Sequence, residues 1–169
     1  MTALIKSYAK INLFLHIIDR LENGYHDLDT IISRINLYDE IKIQDGNNFS
    51  VRYEGKFSPM INVNDHVTLL FNYLIEKELI KNKNYNITVI KNIPVGSGLG
   101  GGSSNIAAIL NYLKKTNILC DSQCIHVARA LGSDIEFFLE DEPAKIHGRG
   151  IVETRIKILS DMYLSLIHI

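Results

Sequence analysis

Pro94-Val95-Gly96-Ser97-Gly98-Leu99-Gly100-Gly101-Gly102-Ser103-Ser104 joins two periodic segments through a loop with almost no side chains. Before it, Tyr85-Asn86-Ile87-Thr88-Val89-Ile90 alternates polar and apolar residues as a strand does. After it, Asn105-Ile106-Ala107-Ala108-Ile109-Leu110-Asn111-Tyr112-Leu113 gathers its apolar residues on one helical face. Ser103 and Ser104 stand where a helix takes its N-cap. A helix N-terminus presents unpaired N–H groups with partial positive charge, and neighbouring glycines let further N–H groups converge on one anion. The predicted ligand of this loop is a polyphosphate.

Three other readings compete. A Gly/Ser-rich linker has this composition, but it rarely has a strand and Pro on one side and an amphipathic helix on the other. Gly96, Gly98 and Gly101 satisfy the dinucleotide-binding spacing and Asp121 lies the right distance onward, yet Asp121 reads as the N-cap of the next helix, with no strand before it. The P-loop pattern fails because no Lys follows the glycines, so a catalytic lysine must come from elsewhere. Lys10 is one candidate. From Lys10 to His16 the chain reads as a strand, with Ile11, Leu13, Leu15 and Ile17 alternating against Lys10, Asn12, Phe14 and His16. Taken alone, that second face reads as a solvated one.

Four ordered segments carry a resemblance: Ala9-Lys10-Ile11-Asn12-Leu13-Phe14-Leu15, then Asn23-Gly24-Tyr25-His26-Asp27-Leu28, then Pro94 to Asn105, then Leu131-Gly132-Ser133-Asp134. Together they resemble the GHMP kinase superfamily. Within it they resemble the kinases of 4-diphosphocytidyl-2-C-methyl-D-erythritol, in the non-mevalonate route to isoprenoids. The glycine loop alone points only to the superfamily; the Ala-Lys-x-Asn and Gly-Tyr-His elements narrow it. The resemblance implies an α+β fold with a left-handed βαβ unit around the phosphate loop, against the usual right-handed rule. It also implies a cytidine diphosphate methylerythritol substrate, phosphorylated by ATP at its 2-hydroxyl, and Mg²⁺ carried with the ATP.

Carried over residue by residue, the resemblance makes Asp134 the base that takes the hydroxyl proton and Lys10 its electrostatic partner. Pro94 to Ser104 becomes the ATP-binding loop. Tyr25 and His26 fall in the cytidine pocket, where a ring can stack on the base and an imidazole can bond its edge. Asn12 contributes a hydrogen bond near the substrate, and no residue is assigned to the metal. Locally, Asp134 also suits a polar turn, because Gly132 closes the helix Ser122–Leu131 just before it. Without the resemblance, Tyr25 and His26 are surface residues beside the Asn23-Gly24 turn.

The chain departs from the family pattern at several points. Glu136 replaces a Pro after the aspartate, so the strand expected there starts differently, and Ile106 stands where a small residue is common. GHMP kinases usually have a second α+β domain, which the resemblance does not extend to here. The expected division is an ATP-binding domain over 1–152, a linker or the start of a C-terminal domain over 153–163, and a non-native tail over 164–169. The tail is suspect because CTG-TCT-CTT-ATA-CAC-ATC, an end sequence of transposon-based sequencing libraries, encodes Leu164-Ser165-Leu166-Ile167-His168-Ile169. Its alternation also suits a genuine strand.

Composition narrows the class. A net charge of −1 and the lack of a basic run argue against nucleic acid as the main partner. No stretch is apolar enough to span a bilayer or is followed by a cleavage site, so a cytoplasmic, membrane-free protein is expected. Cys120 and Cys124 lack a second pair at zinc spacing and read as helix-end residues. Elsewhere, Asp45-Gly46-Asn47-Asn48 suggests a hairpin between Glu40–Gln44 and Phe49–Tyr53, and Val67–Leu79 reads as a helix capped by Asp65 or Asn64. The small turn His147-Gly148-Arg149-Gly150 is assigned no chemistry. Two alternatives stay open: a GHMP kinase acting on homoserine, mevalonate or a sugar, and a nucleotide-binding domain without activity.

Overall fold

Alternating apolar residues build two long strands, and the rest of the chain is arranged on them. In the computed structural model, which describes residues 2–20, 26–58, 65–82, 84–148 and 151–157, β1 (Thr2–Arg20) pairs antiparallel with β2 (His26–Asp45). The other edge of β2 is shared. β4 (Tyr85–Ile90) pairs with Glu40–Asp45, and β5 (Ala144–Gly148) pairs with Leu28–Ile32, both antiparallel. β3 (Ser50–Glu54) runs parallel to β4, and β6 (Ile151–Arg155) runs antiparallel to β5. The order β3-β4-β2-β5-β6, with β1 on β2, makes a six-stranded sheet. Between β4 and β5, residues 33–39 of β2 have no strand on that edge among the described residues.

Three helices accompany the sheet. α1 (His66–Glu76) buries Val67, Leu70, Phe71 and Leu74, the i, i+3, i+4, i+7 pattern of one face. α2 (Gly101–Lys115) buries Ile106, Ala107, Ile109, Leu110 and Leu113. α3 (Asp121–Leu131) buries Cys124, Val127 and Ala128. α2 is central, touching β1, β2, α1 and α3. Its apolar face meets Ile41, Ile43, Ile87 and Val89 of the sheet in one core, where each buried Leu or Ile is worth about 1.5–3 kcal/mol. Among the described residues no helix is long and apolar enough to cross a membrane.

The α+β class stands, while several local expectations change. Asp45–Asn48 does not close a hairpin between paired neighbours, because β4 inserts between β2 and β3. β3, α1 and β4 form instead a parallel βαβ unit that leads straight into the glycine loop. α1 ends at Glu76, with Leu79 beyond its C-cap. α3 is capped by Cys120, whose N–H donates to Gln123 Oε1 at 2.8 Å; Asp121 is the first helical residue, not the cap. Asp134–Glu136 form a turn running into a 3-10 helix, Phe137–Leu139, instead of a strand. There Glu136 pairs with Arg129 of α3 through two bonds of 2.7 Å, which ties the turn back to its helix. β6 carries the sheet past the expected boundary at 152 to Arg155. Residues 158–169, including the suspected tail, lie outside the described residues.

Asp65 caps α1 with both oxygens. Oδ1 accepts from Thr68 N at 2.8 Å and from the Tyr53 hydroxyl at 2.6 Å, and Oδ2 accepts from the Thr68 hydroxyl at 2.6 Å. Asp65→Ala is expected to destabilise the protein by about 1–2 kcal/mol, read as a lower urea midpoint at unchanged slope.

Candidate active site

The glycine loop crosses from the end of β4 to β1. Lys10 N donates to Leu99 O at 2.9 Å, so the loop hydrogen-bonds to the residue that carries the candidate lysine. A bulge in β1 between Tyr8 and Lys10 resets the strand at that point. Gly100 has φ 71° and is the N-cap of α2. A Cβ there would come within 2.9 Å of the Phe138 ring and 3.1 Å of Lys10 Cγ, so glycine satisfies both the left-handed backbone and the close approach. The helix therefore starts at Gly101, two residues before the expected cap. Ser103 and Ser104 lie inside its first turn.

No side chain caps α2, and its first turn carries no acidic residue, whereas Lys114 and Lys115 occupy its last turn. The first-turn N–H groups and the positive end of the helix dipole are thus left for an anion. Residues 94–103 line a cavity of about 310 Å³ with Tyr53, Asp65, His66, Lys91 and Asn105. Burial, and then the bond to Asp65, push the Tyr53 phenol up, so it faces this cavity as a protonated hydroxyl. Ser104 does not line the cavity. It is buried and accepts from the Ser7 hydroxyl at 2.8 Å.

Lys10 Nζ lies 2.7 Å from Asn12 Oδ1 and 3.5 Å from Asp134 Oδ2. Asn12 is held in turn by Thr30, whose hydroxyl accepts from Asn12 Nδ2 at 2.8 Å. Asp134 is thus both the local turn and the partner of Lys10, 124 residues apart in sequence. His16 does not share the Asn12 face. A bulge between Asn12 and Phe14 inverts the alternation, so Asn12 faces Ile32 while His16 pairs with Asp29 on the opposite side. His26 opens β2 opposite Arg20, and Tyr25 lies outside the described residues.

Sequence reading missed Asp39 and Lys91, which form a buried ion pair behind the loop. Asp39 Oδ1 accepts from Asn92 N and Ile93 N, each at 2.8 Å. The signal was present: Asp39 falls in phase with the buried Ile41 and Ile43, and Lys91 in phase with Ile87, Val89 and Ile93. Among the described residues no three His, Cys, Asp or Glu side chains converge to hold a metal.

Residues 65–140 match the family described as GHMP kinases N terminal domain. A 4-diphosphocytidyl-2-C-methyl-D-erythritol kinase of Fervidobacterium nodosum is 35% identical over 158 residues, covering 93% of this chain and 56% of that protein. One from Sulfurihydrogenibium sp. is 39% identical over 139 residues, covering 81% of this chain and 50% of that protein. A crystal structure of 4-(cytidine 5'-diphospho)-2C-methyl-D-erythritol kinase superposes with a TM-score of 0.70 at 30% identity, over 92% of this chain and 55% of that one. The chain spans about half the length of the curated relatives it matches.

Gly98 also has a positive φ, 75°, but a Cβ there meets nothing within 4 Å. Alanine at either position pays the left-handed penalty, and only Gly100→Ala adds the collision. Gly100→Ala is expected to be less stable than Gly98→Ala by about 1–3 kcal/mol, measured by urea unfolding of the two variants side by side.

Proposed function

The chain carries the N-terminal domain of the GHMP kinases, and on that premise we propose that it phosphorylates the 2-hydroxyl of 4-diphosphocytidyl-2-C-methyl-D-erythritol with ATP, as a cytoplasmic enzyme. The observation that carries this reading is the Lys10–Asp134 pair beside the loop, since Leu99 bonds to Lys10 N and Gly100 packs on the Lys10 side chain. The choice of substrate is supported by the names of the relatives, which are consistently of this kinase.

In the proposed reaction the substrate hydroxyl oxygen bonds to the γ-phosphorus, the bond to the β,γ-bridging oxygen breaks, and ADP leaves. The hydroxyl proton goes to Asp134, and Lys10 offsets the negative charge that develops beside it. Asn12, fixed by Thr30, holds the Lys10 ammonium through its amide oxygen. The loop and the first turn of α2 seat the triphosphate. Mg²⁺ would neutralise charge on the phosphate oxygens, with Ser103 as a hydroxyl on the cavity wall that could join them. Tyr25 and His26 are assigned to the cytosine ring.

Asp134→Asn is expected to lower turnover by about 10²–10⁴-fold and to keep the affinity for a non-hydrolysable ATP analogue within about threefold, since its carboxylate is not part of the loop. ADP release on the cytidyl substrate, compared with homoserine, mevalonate and galactose, reads the first effect; calorimetry reads the second. Turnover of one of the other alcohols alone would make it a different GHMP kinase. Analogue binding with no turnover would leave a nucleotide-binding domain, and near-normal turnover by the Asn variant would remove Asp134 as the base.

A further inference from the structure

We infer that Asp39 is a positioning residue for the phosphate loop, locking the base of the loop and the first turn of α2 to the sheet before any nucleotide arrives. The inference rests on the kinase reading for the identity of the anion. Asp39 is 0% exposed, and between them its two oxygens take donors from both ends of the loop. Oδ1 accepts from Asn92 N and Ile93 N, the backbone that leaves β4 for the loop. Oδ2 accepts from Lys91 Nζ and, at 3.1 Å, from Asn105 Nδ2 in α2.

The orientation of Asn105 follows from proton counting. The Asp39 carboxylate and the Gly101 carbonyl can only accept, so the Asn105 amide turns its nitrogen, not its oxygen, towards them. Asn105 Nδ2 then also reaches Ser7 Oγ at 2.7 Å and Gly101 O at 3.1 Å. One carboxylate thus ties together β2, the end of β4, the first turn of α2 and, through Ser7, β1.

Lys91 supplies the countercharge and passes beneath the helix start. Its Nζ lies 3.1 Å from where a Gly101 Cβ would be, so the ammonium occupies the space that a side chain at Gly101 would fill. Asp39 therefore acts at a distance from the ligand, by fixing the direction of the N–H groups that receive it. Loss of its charge loosens the cradle without touching Lys10, Asn12 or Asp134.

The test compares Asp39→Asn with Leu110→Ala, a core variant in the same helix, in the full chain. The probe is a non-hydrolysable ATP analogue in calorimetry, followed by steady-state kinetics. For Asp39→Asn the analogue Kd and the KM for ATP are expected to rise about tenfold, with kcat falling by a smaller factor, whereas Leu110→Ala lowers the melting temperature and leaves Kd unchanged. Equal analogue binding by Asp39→Asn and the wild type, or an equal loss in Leu110→Ala, overturns the inference. Amide exchange on the wild type decides the matter even where Asp39→Asn fails to fold. Slow exchange of Asn92 and Ile93 without nucleotide supports a preformed lock, and protection that appears only with the analogue overturns it. A wild-type chain that binds no analogue defeats the kinase reading, and the exchange result then still judges the lock by itself.

Discussion

A charge placed in the apolar register of a strand must find its countercharge inside the protein, and this constraint governs the centre of the molecule. Asp39 interrupts the inward-facing series that continues with Ile41 and Ile43, and Lys91 interrupts the one containing Ile87, Val89 and Ile93. Either charge alone would carry a desolvation penalty of several kcal/mol. They meet where β2 has lost β4 and not yet gained β5, and there Asp39 accepts the Asn92 and Ile93 N–H groups as the backbone turns out of the sheet. The pair therefore contributes less to stability than to location: it specifies where the strand stops and the glycine loop starts.

The same economy of placement links the loop to the chemistry. β1 carries Lys10 and Asn12 on its side chains and receives the loop on its backbone through Lys10 N. Any shift of the loop along β1 would move it relative to the lysine, and positioning of reactants within fractions of an ångström is what the proposed phosphoryl transfer chiefly requires. Gly100 closes this contact from the other side, wedged between Lys10 and Phe138. Arg34, which pairs with Asp141 and donates to the Phe138 carbonyl, backs that ring, and burial lowers its pKa from the ordinary guanidinium range. The site is thus supported from β2 as well as from β1.

Periodicity in the sequence was sufficient for the main elements, because β4 and α2 each have one clearly apolar face. It was insufficient wherever two distant segments decide the outcome together. Ser103 and Ser104 have the chemistry of an N-cap, but the close packing of Gly100 on Phe138, 38 residues away, moves the helix start upstream and turns Ser104 inward to Ser7. The alternation through His16 was real in the sequence and broken in the fold by a bulge, which leaves no trace in residue type. The apparent hairpin at Asp45–Asn48 failed for a topological reason, since β4 arrives from 40 residues later to separate the two strands. Asp39 and Lys91 were legible in principle, as charges in phase with buried neighbours, but only the pair makes either one tolerable.

Exposure separates the proposed roles of Lys10 and Asp134 more firmly than residue type does. The Lys10 side chain is 9% exposed and the Asp134 side chain 34%. A hydroxyl approaching from solvent can reach Asp134, whereas the Lys10 ammonium is already engaged by Asn12 Oδ1. Lys10 is therefore suited to act as a fixed field and Asp134 as the group that exchanges a proton. The turn that carries Asp134 is held by Gly132 O, which accepts from Ile135 N at 3.3 Å, and by the Glu136–Arg129 pair. Where the family pattern uses a rigid proline after the aspartate, this chain uses a charged residue whose side chain is anchored to α3. The two devices are physically different, one restricting φ and the other adding a two-point hydrogen bond, yet either can keep the carboxylate aimed at the lysine.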